Sequence, residues 1–417
     1  IAVATTSYNT GWMHGDSKAS WLSSTETANI DAGNNLLTVG TFDSASGWTL
    51  SGSGAWGISG GKLNGDGTAG DSFAQRAETP AVLIKYATYT VKFVMTRTAG
   101  TVQVRIGDGS YSSAFSSSGT HTVSLTCGNI NTETVLFYSN GFNGTIDDVE
   151  VYIEDQDRSQ QQNNGARPIG GITKSVVATG ADLVGYSGFS ASNYLTYNAS
   201  SMNFGTGDFS VSVWAIPSTD TTNEFILELD DASQGSNRFY LLVTTTATKK
   251  LYVPWDSDIA GSELIAGAWN HIVVGRRSGV GYVYVNGKSI ADGTDAWTTS
   301  LNGNGRGTIG NYSGGPSADY AWSGSLALLR ISGSMPTTEQ VKKMYNDEKN
   351  LFVTNAKCTL AGATSAITAL GFDDTTNILH VGTASGRSEF HGLNRINNTT
   401  TAVTTAVSAS NGLVAEQ

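Results

Sequence analysis

Charge, cysteine and long apolar runs are all scarce in this chain, and each scarcity excludes something. Only 14% of the 417 residues are charged, with 24 Lys and Arg against 35 Asp and Glu, a formal net charge of −11. Binding to a phosphate backbone calls for basic stripes, so nucleic acid is not the expected partner. The two cysteines, Cys127 and Cys358, stand far apart in the sequence. A disulfide between them is not expected, and a thiolate metal cluster is excluded by number. No apolar run approaches the roughly 20 residues that span a bilayer, so membrane insertion is not expected. The periodic Glu, Lys, Leu and Ala arrays of helical proteins are missing as well.

What is abundant points the other way. Glycine numbers 50, and Ser, Thr, Val and Tyr recur throughout, which favours short strands joined by tight turns. Apolar residues reach 39%, enough to build cores. The expected class is all-β. The chain begins IAVATTSYNTGW, without Met or a charged-then-apolar leader, which reads as a processing site or as the loss of upstream residues.

Five segments follow from the pattern. Residues 1–33 are polar and aperiodic and read as a connector that docks elsewhere. Residues 34–155 carry alternating stretches such as YTVKFVMTR and TVQVRIGDG, separated by Gly/Ser/Asn turns, as in a β-sandwich. Residues 156–168, within EDQDRSQQQNNGARP, form the most hydrophilic stretch and a linker. Residues 169–351 are strand-rich again and end in PTTEQVKKMYNDEKN, where Thr337 or Thr338 caps a short helix whose Val341, Met344 and Tyr345 share a face. That helix is expected at the edge of the sandwich. Residues 352–417 read as two strands around an Asp-Asp-Thr-Thr-Asn turn and a third after Ser385-Gly386. With few large apolar groups, both terminal segments are expected to complete themselves by assembly, as a homo-oligomer such as a trimer or with other chains.

GDFSVSVWAIPS, followed by GAWNHIVVGRRSGVGYVYVNGKSIADG, resembles the laminin-G-like, concanavalin A-like jelly-roll family. The residues that carry the likeness are Phe209, Trp214, Trp269, His271, Tyr284, Val285, Asn286 and Gly287. Val211, Val213, Val273, Tyr282 and Tyr284 alternate as inward residues of a two-sheet sandwich should, and Asn286-Gly287 suits a tight hairpin. Less fully, LLTVGTFDSASGW and FNGTIDDVEVY resemble the jelly-roll carbohydrate-binding modules of bacterial glycanases, with Val39 in place of that family's Asn. The fold expected is therefore two jelly-roll β-sandwiches in tandem with small β-rich ends. Such paired modules resemble parts of marine bacteriophage tail or fibre proteins. The opening ATTSYNTGWMHGD and the closing LHVGTASG, similar to propeller-like repeats, add to that resemblance.

Catalysis finds little footing. A glucanase of this fold would need alternating carboxylates, two of them ~5 Å apart in a retaining enzyme. Glu228 and Asp230 stand in ELDDAS, but Ser233 occupies the acid/base position. The five histidines, at 14, 121, 271, 380 and 391, form no metal spacing, and no nucleophile elbow is present. The chain is not expected to be an enzyme.

Sugar binding needs flat aromatic platforms with polar groups around them. Trp255, Asn237, Arg238, Asn311, Tyr312, Tyr320 and, in the first sandwich, Trp56 are the candidates. Trp48 and Trp322 are expected in cores, and Arg276-Arg277 in a solvated turn. Asp43, Asp147 and Asp148 form a candidate structural calcium site, with Asp230, Asp231, Asp256 and Asp258 as loop acids. The function expected is a non-catalytic, extracellular virion-surface protein, fibre-like in role, that binds host-surface glycans among other virion proteins. A bacterial adhesin, an accessory part of a polysaccharide-degrading enzyme, and a purely architectural sandwich are the alternatives.

Overall fold

The computed structural model describes residues 17–31, 35–52, 55–68, 71–77, 83, 88–128, 134–159, 165–199, 202–218, 223–230, 237–244, 249–255, 259–301, 306–362, 367–401, 408–410 and 413–415. The opening SYNTGWMHGD stretch, Asp231, Ser233, Asp256 and Asp258 lie outside them, as does the side chain of Asp230. The described chain is almost entirely β, with one α-helix, Thr338–Glu348, and a 3-10 turn, Lys349–Phe352. It forms two compact units: residues 30–156 with 164–170, and the remainder. Both cysteines are buried thiols outside any disulfide, one in each unit.

The first unit is built around two long strands, Thr88–Ile106 and Thr134–Ile153, paired along most of their length. Their early and late halves belong to different layers. Thr88–Met95 pairs with Gly119–Thr126, whereas the stretch from Thr134 to Asn140 pairs with Asp71–Ala77. The change of layer falls where the register shifts around Ala99. Gly100 makes it possible: its φ is +68°, and a Cβ there would lie 2.0 Å from the Gly141 carbonyl oxygen. Phe93 of one layer meets Phe137 of the other edge-on at 5.3 Å. Val91, Met95, Val102, Val104 and Val151 fill the same core. Trp48 lies in it, its Nε1 donating to the Val39 carbonyl at 3.2 Å.

The second unit is a jelly-roll sandwich. Its larger sheet runs Gly171–Val176, Val184–Ser187, Ser325–Ser332, Phe209–Ile216, Asn270–Arg277, Val280–Val285, Lys288–Ala296, with Ser17–Trp21 of the opening segment also paired to Ser325–Ser332. The smaller sheet runs Tyr194–Tyr197, Arg306–Ile309, Glu224–Asp230, Phe239–Val243, Leu251–Tyr252. Neighbours distant in sequence are the mark of crossing connections between two layers. Asn286 and Gly287 both take positive φ, +50° and +73°, in the expected two-residue hairpin.

Phe209, Val211 and Val213 face the smaller sheet, with Phe209 edge-on to Phe239 at 5.1 Å. Val273, Tyr282 and Tyr284 do not share that face, contrary to the inward reading of their alternation. Val273 pairs with Ser212, not with Val211 or Val213, and it packs with Tyr282, Tyr284, Met335 and Val341 on the opposite side of the sheet. Alternation reports two faces, and here both are covered. The cover is the helix, seated on the sheet face rather than at its edge. Thr337 caps it in a reciprocal box with Gln340.

Under the helix lies a buried polar cluster. Arg330 holds Glu348 through contacts of 2.5 and 2.8 Å, and Trp214 Nε1 donates to Glu348 at 2.7 Å. Ser212 Oγ sits 3.2 Å from His271 Nε2. His271 thus belongs to the helix seat, with its ring 5.1 Å from Trp214.

Arg276 corrects another expectation, for it is fully buried. It donates to the carbonyls of Gly205, Gly207 and Thr299 and lies over the rings of Trp297 and Phe209, at 4.8 and 5.7 Å. A strand residue beside a turn has been recruited to tie two loops together, which no local pattern announces.

The C-terminal part holds a four-stranded antiparallel sheet, Ile367–Asp373, Ile378–Thr383, Gly386–His391 and Asn394–Thr399. Three of these strands follow the sequence reading. The fourth, NRINNT, carries no apolar alternation and was not expected. Asp182 of the sandwich holds the preceding segment through Lys357 Nζ at 3.0 Å, Thr359 Oγ1 at 2.8 Å and the Cys358 N–H at 3.1 Å.

Candidate functional site

The side of the smaller sheet that faces away from the core carries an aromatic surface. Cross-strand register sets its membership: Glu228 lies opposite Tyr240, and Leu242 lies opposite both Phe225 and Tyr252. Residues directly opposite share a face, so these side chains stand together while Phe239, Leu241 and Val243 fill the core. The loop after Arg306–Ile309 adds Tyr312 and Tyr320. Its fold is set by the Phe225 N–H donating to the Tyr320 carbonyl at 3.0 Å and the Trp322 N–H to the Gly310 carbonyl at 3.0 Å. Trp322 is buried, as expected.

The rings form a contiguous group. Phe225 is 5.3 Å from Tyr312, 5.6 Å from Tyr320 and 6.2 Å from Tyr240, and Tyr240 is 5.8 Å from Tyr252. Tyr320 is the most open of them, 38% exposed. Arg238 lies across the group, 5.1 Å from the Tyr240 ring and 5.6 Å from Tyr312. Its Nη1 reaches Glu228 at 3.1 Å and the Tyr312 hydroxyl at 3.3 Å. Burial works against the guanidinium charge, but Tyr312 and Glu228 more than offset it and hold its pKa above the ordinary value. Burial, and then Tyr252 beside it, push the Tyr240 phenol up to about 12, so it is a neutral hydrogen-bonding group near neutral pH.

Glu228 is fully buried and engaged at both oxygens, by Arg238 and by the Ser313 N–H at 2.7 Å. It therefore serves as the anchor that orients Arg238. An aromatic floor with a fixed guanidinium and phenolic hydroxyls can stack a sugar ring and hydrogen-bond its rim.

Of the residues expected to bind, the structure gathers Arg238, Tyr312 and Tyr320, with Asn237 half-buried next to Arg238. Asn311 does not present itself to a ligand. It is fully buried, donating to the Ser190 and Ser317 carbonyls and accepting from the Tyr312 and Ser317 N–H groups, so it shapes the loop. Trp255 is half-buried on the core side, 4.4 Å from Trp297 and 6.4 Å from Phe239. Trp56 is a core residue, 5% exposed and 5.7 Å from Phe142, because its strand turns that position inward. Tyr240, Tyr252 and Phe225 were missed. The only signal was Tyr240 two residues beyond Arg238, which immediately precedes the strand Phe239–Val243, a spacing that places both on one face.

Asp43 and Asp147 have other engagements, and Asp148 meets Asp147 only through its backbone N–H. Asp147 pairs with Lys62 at 2.7 Å and accepts from the Asp148 N–H, and Asp43 accepts from Thr41 Oγ1 at 2.7 Å. Among the described residues no group of three or more His, Cys, Asp or Glu is placed to hold a metal. A calcium ion at this corner would have to compete with the Lys62 ammonium. Chelation by EDTA should lower the melting midpoint by several degrees if these acids hold calcium, and an unchanged midpoint removes the site.

The second unit has a recognisable class. Residues 189–342 match the concanavalin A-like lectin/glucanases superfamily. Among curated proteins none matches the chain by sequence. Solved structures give distant likenesses. Domain 4 of an extracellular GH43 arabinanase from Geobacillus stearothermophilus, in complex with arabinotriose, is 18% identical over 46% of this chain and 92% of its own, with a TM-score of 0.36. A Trypanosoma rangeli sialidase is 14% identical over 43% of this chain and 30% of its own, with a TM-score of 0.33. The CBM40 of a Ruminococcus gnavus IT-sialidase, bound to α2,3-sialyllactose, is 11% identical over 36% of this chain and 92% of its own, with a TM-score of 0.28.

Proposed function

We propose that this chain is a non-catalytic glycan-binding protein whose lectin-like unit holds sugar on the Tyr240, Tyr252, Tyr312, Tyr320 and Arg238 surface. The observation that carries the reading is the ring group on an exposed sheet face with an arginine anchored across it. The absence of catalysis is part of the proposal and is supported by Glu228, whose carboxylate is committed to Arg238 and Ser313.

The test is a glycan array followed by calorimetry on the whole chain. Tyr320→Ala and Tyr240→Ala should each weaken a bound glycan by about tenfold, the scale of one lost ring contact. Arg238→Ala should do at least as much. Retained affinity in all three variants would move binding elsewhere, and reducing-end release from any bound polysaccharide would overturn the non-catalytic reading.

The wider setting we propose is a virion surface, with a fibre-like role in attachment to host glycans beside other virion proteins. Weak single contacts would be multiplied over many copies. Its support is the order of the two module types in the sequence and the exposed Leu370 and Phe372 of the C-terminal sheet, which suit assembly into a homo-oligomer such as a trimer. Antibody labelling of purified particles tests it. Label confined to bacterial envelopes would instead make the protein an adhesin, and light scattering at the monomer mass would remove the oligomer.

A further inference from the structure

We propose a second binding site, in the first unit, for a sugar chain bearing fixed negative charge. It uses none of the residues of the lectin-like face. The site is the outward side of the layer formed by Trp48–Leu50, Asp71–Ala77 and the paired ends of the two long strands. Register builds two rows across it, Thr49–Gln75–Leu136–Arg105 and Phe73–Tyr138–Gln103. Their neighbours of opposite parity, Ala74, Phe137 and Val104, are in the core.

Tyr111 stands over these rows from the loop that follows. It is 42% exposed, its ring 5.5 Å from Tyr138, with Arg105 Cζ 4.9 Å from its centroid. The loop is stapled to the strand beneath: Gln103 Nε2 donates to the Ser112 carbonyl at 2.8 Å, and Ser112 and Val104 are joined by their backbones at 2.8 Å. Tyr111 is thus held as a platform before any ligand arrives, which reduces the ordering cost of binding.

Arg105 points to the ligand's chemistry. Lys62, Lys92, Arg76 and Arg97 of the same unit each have hydrogen-bond or ion-pair partners. Arg105 has none among the described residues, and its Nε is buried without an acceptor. Neither row contains a carboxylate. A planar donor fork on an aromatic ring, unpaired and half-buried, fits a carboxylate or sulfate bidentately. A pyranose lying on Tyr111 would bring such a group to Arg105 and its hydroxyls to the free amide of Gln75. Uronate and sulfate ester supply the same charge, so the occupant is an acidic polysaccharide of either kind.

Affinity electrophoresis of the full chain tests this with polygalacturonate, a sulfated galactan and neutral dextran in the gel. One or both acidic polymers should retard the protein, dextran should not, and added salt should weaken the effect. The acidic polymer that retards it identifies the anion. Arg105→Ala and Tyr111→Ala should each weaken retardation about tenfold or more, and Arg105→Lys, which keeps charge without the fork, by less. Tyr111 is exposed enough that its loss leaves the core intact, and an unchanged melting curve confirms it. Arg238→Ala and Tyr320→Ala should leave acidic binding as it was. Failure of both acidic polymers, equal retardation by dextran, or loss in Arg238→Ala rather than Arg105→Ala overturns the proposal. The lectin-like face is judged separately, by its own variants.

Discussion

Replacing Glu348 with alanine should cost the lectin-like unit about 3–5 kcal/mol, the range for removing one partner of a buried ion pair. Glu348 is wholly buried and Arg330 is 6% exposed, so water cannot take over the lost contact. Burial alone would push the Glu348 carboxyl up, yet Arg330 overrides it and holds the group below its ordinary value, so it is charged at neutral pH. In the variant a guanidinium remains in the interior beside an unpaired Trp214 N–H, and each unsatisfied buried group adds about 1–3 kcal/mol.

Such a loss is a large share of the 5–15 kcal/mol that holds a typical domain together. Urea denaturation, followed by Trp fluorescence, reads it as a fall in midpoint. Glu348→Gln keeps an acceptor for Trp214 but not the charge for Arg330, and it should fall between alanine and the native protein. Glu348→Leu combined with Arg330→Met should recover much of the loss, because the desolvation of both charges is then avoided. If the alanine variant lies within about 0.5 kcal/mol of the native protein, the pair contributes little and the helix is held by Val341 and Met344 alone. Glycan affinity at 25 °C should not change, since the aromatic face belongs to the other sheet of the sandwich.

The fold was legible where a residue's own pattern decided its surroundings. Two-residue alternation, the Asn286-Gly287 turn and the Thr337 cap each depend on local chemistry, and each is found in place. The reading failed where the partner came from far along the chain. Trp214 and Trp269 mark two strands, but nothing near them says that the helix Thr338–Glu348, far along the chain, will cover Val273 and Tyr284. Arg276 looked like a solvated turn residue because its acceptors, Gly205, Gly207 and Thr299, come from two other loops.

The candidate site was half legible for the same reason. Arg238, Tyr312 and Tyr320 stand in loop-like sequence and draw attention. Tyr240 and Tyr252 sit in strands of a smaller sheet, and only the cross-strand register puts them on the outer face. Asn311 shows the converse error, a polar loop residue spent entirely on the loop's own backbone.

Acid should destabilise the lectin-like unit well above the range where carboxylates titrate, and His271 is the cause. Burial drives its pKa down to about 4 from the ordinary 6.5; Arg330 adds to that, while Glu348 opposes both. Tyr345, the other titratable ring packed against it, is 6.2 Å away, and Ser212 and Trp214 complete its surroundings. Above pH 6.5 the ring is neutral in both folded and unfolded chains, and its contribution is fully present. As pH falls from 6.5 towards 4, the unfolded chain takes up a proton that the folded unit refuses, so stability declines. Below 4 both states are protonated and this slope disappears. A shift of this size corresponds to about 3 kcal/mol. The Glu348 carboxyl, whose folded value is depressed, adds its own loss only as pH falls below its unfolded value of 4.5, after most of the His271 loss has occurred. Urea midpoints measured from pH 7.5 to 4.5 in native protein and in His271→Asn should therefore diverge in slope, whatever constant offset the substitution introduces. The native unit loses stability across that interval while the variant holds nearly level. Parallel curves would mean that His271 is protonated in the folded state, and that the space under the helix is wetter than its packing implies.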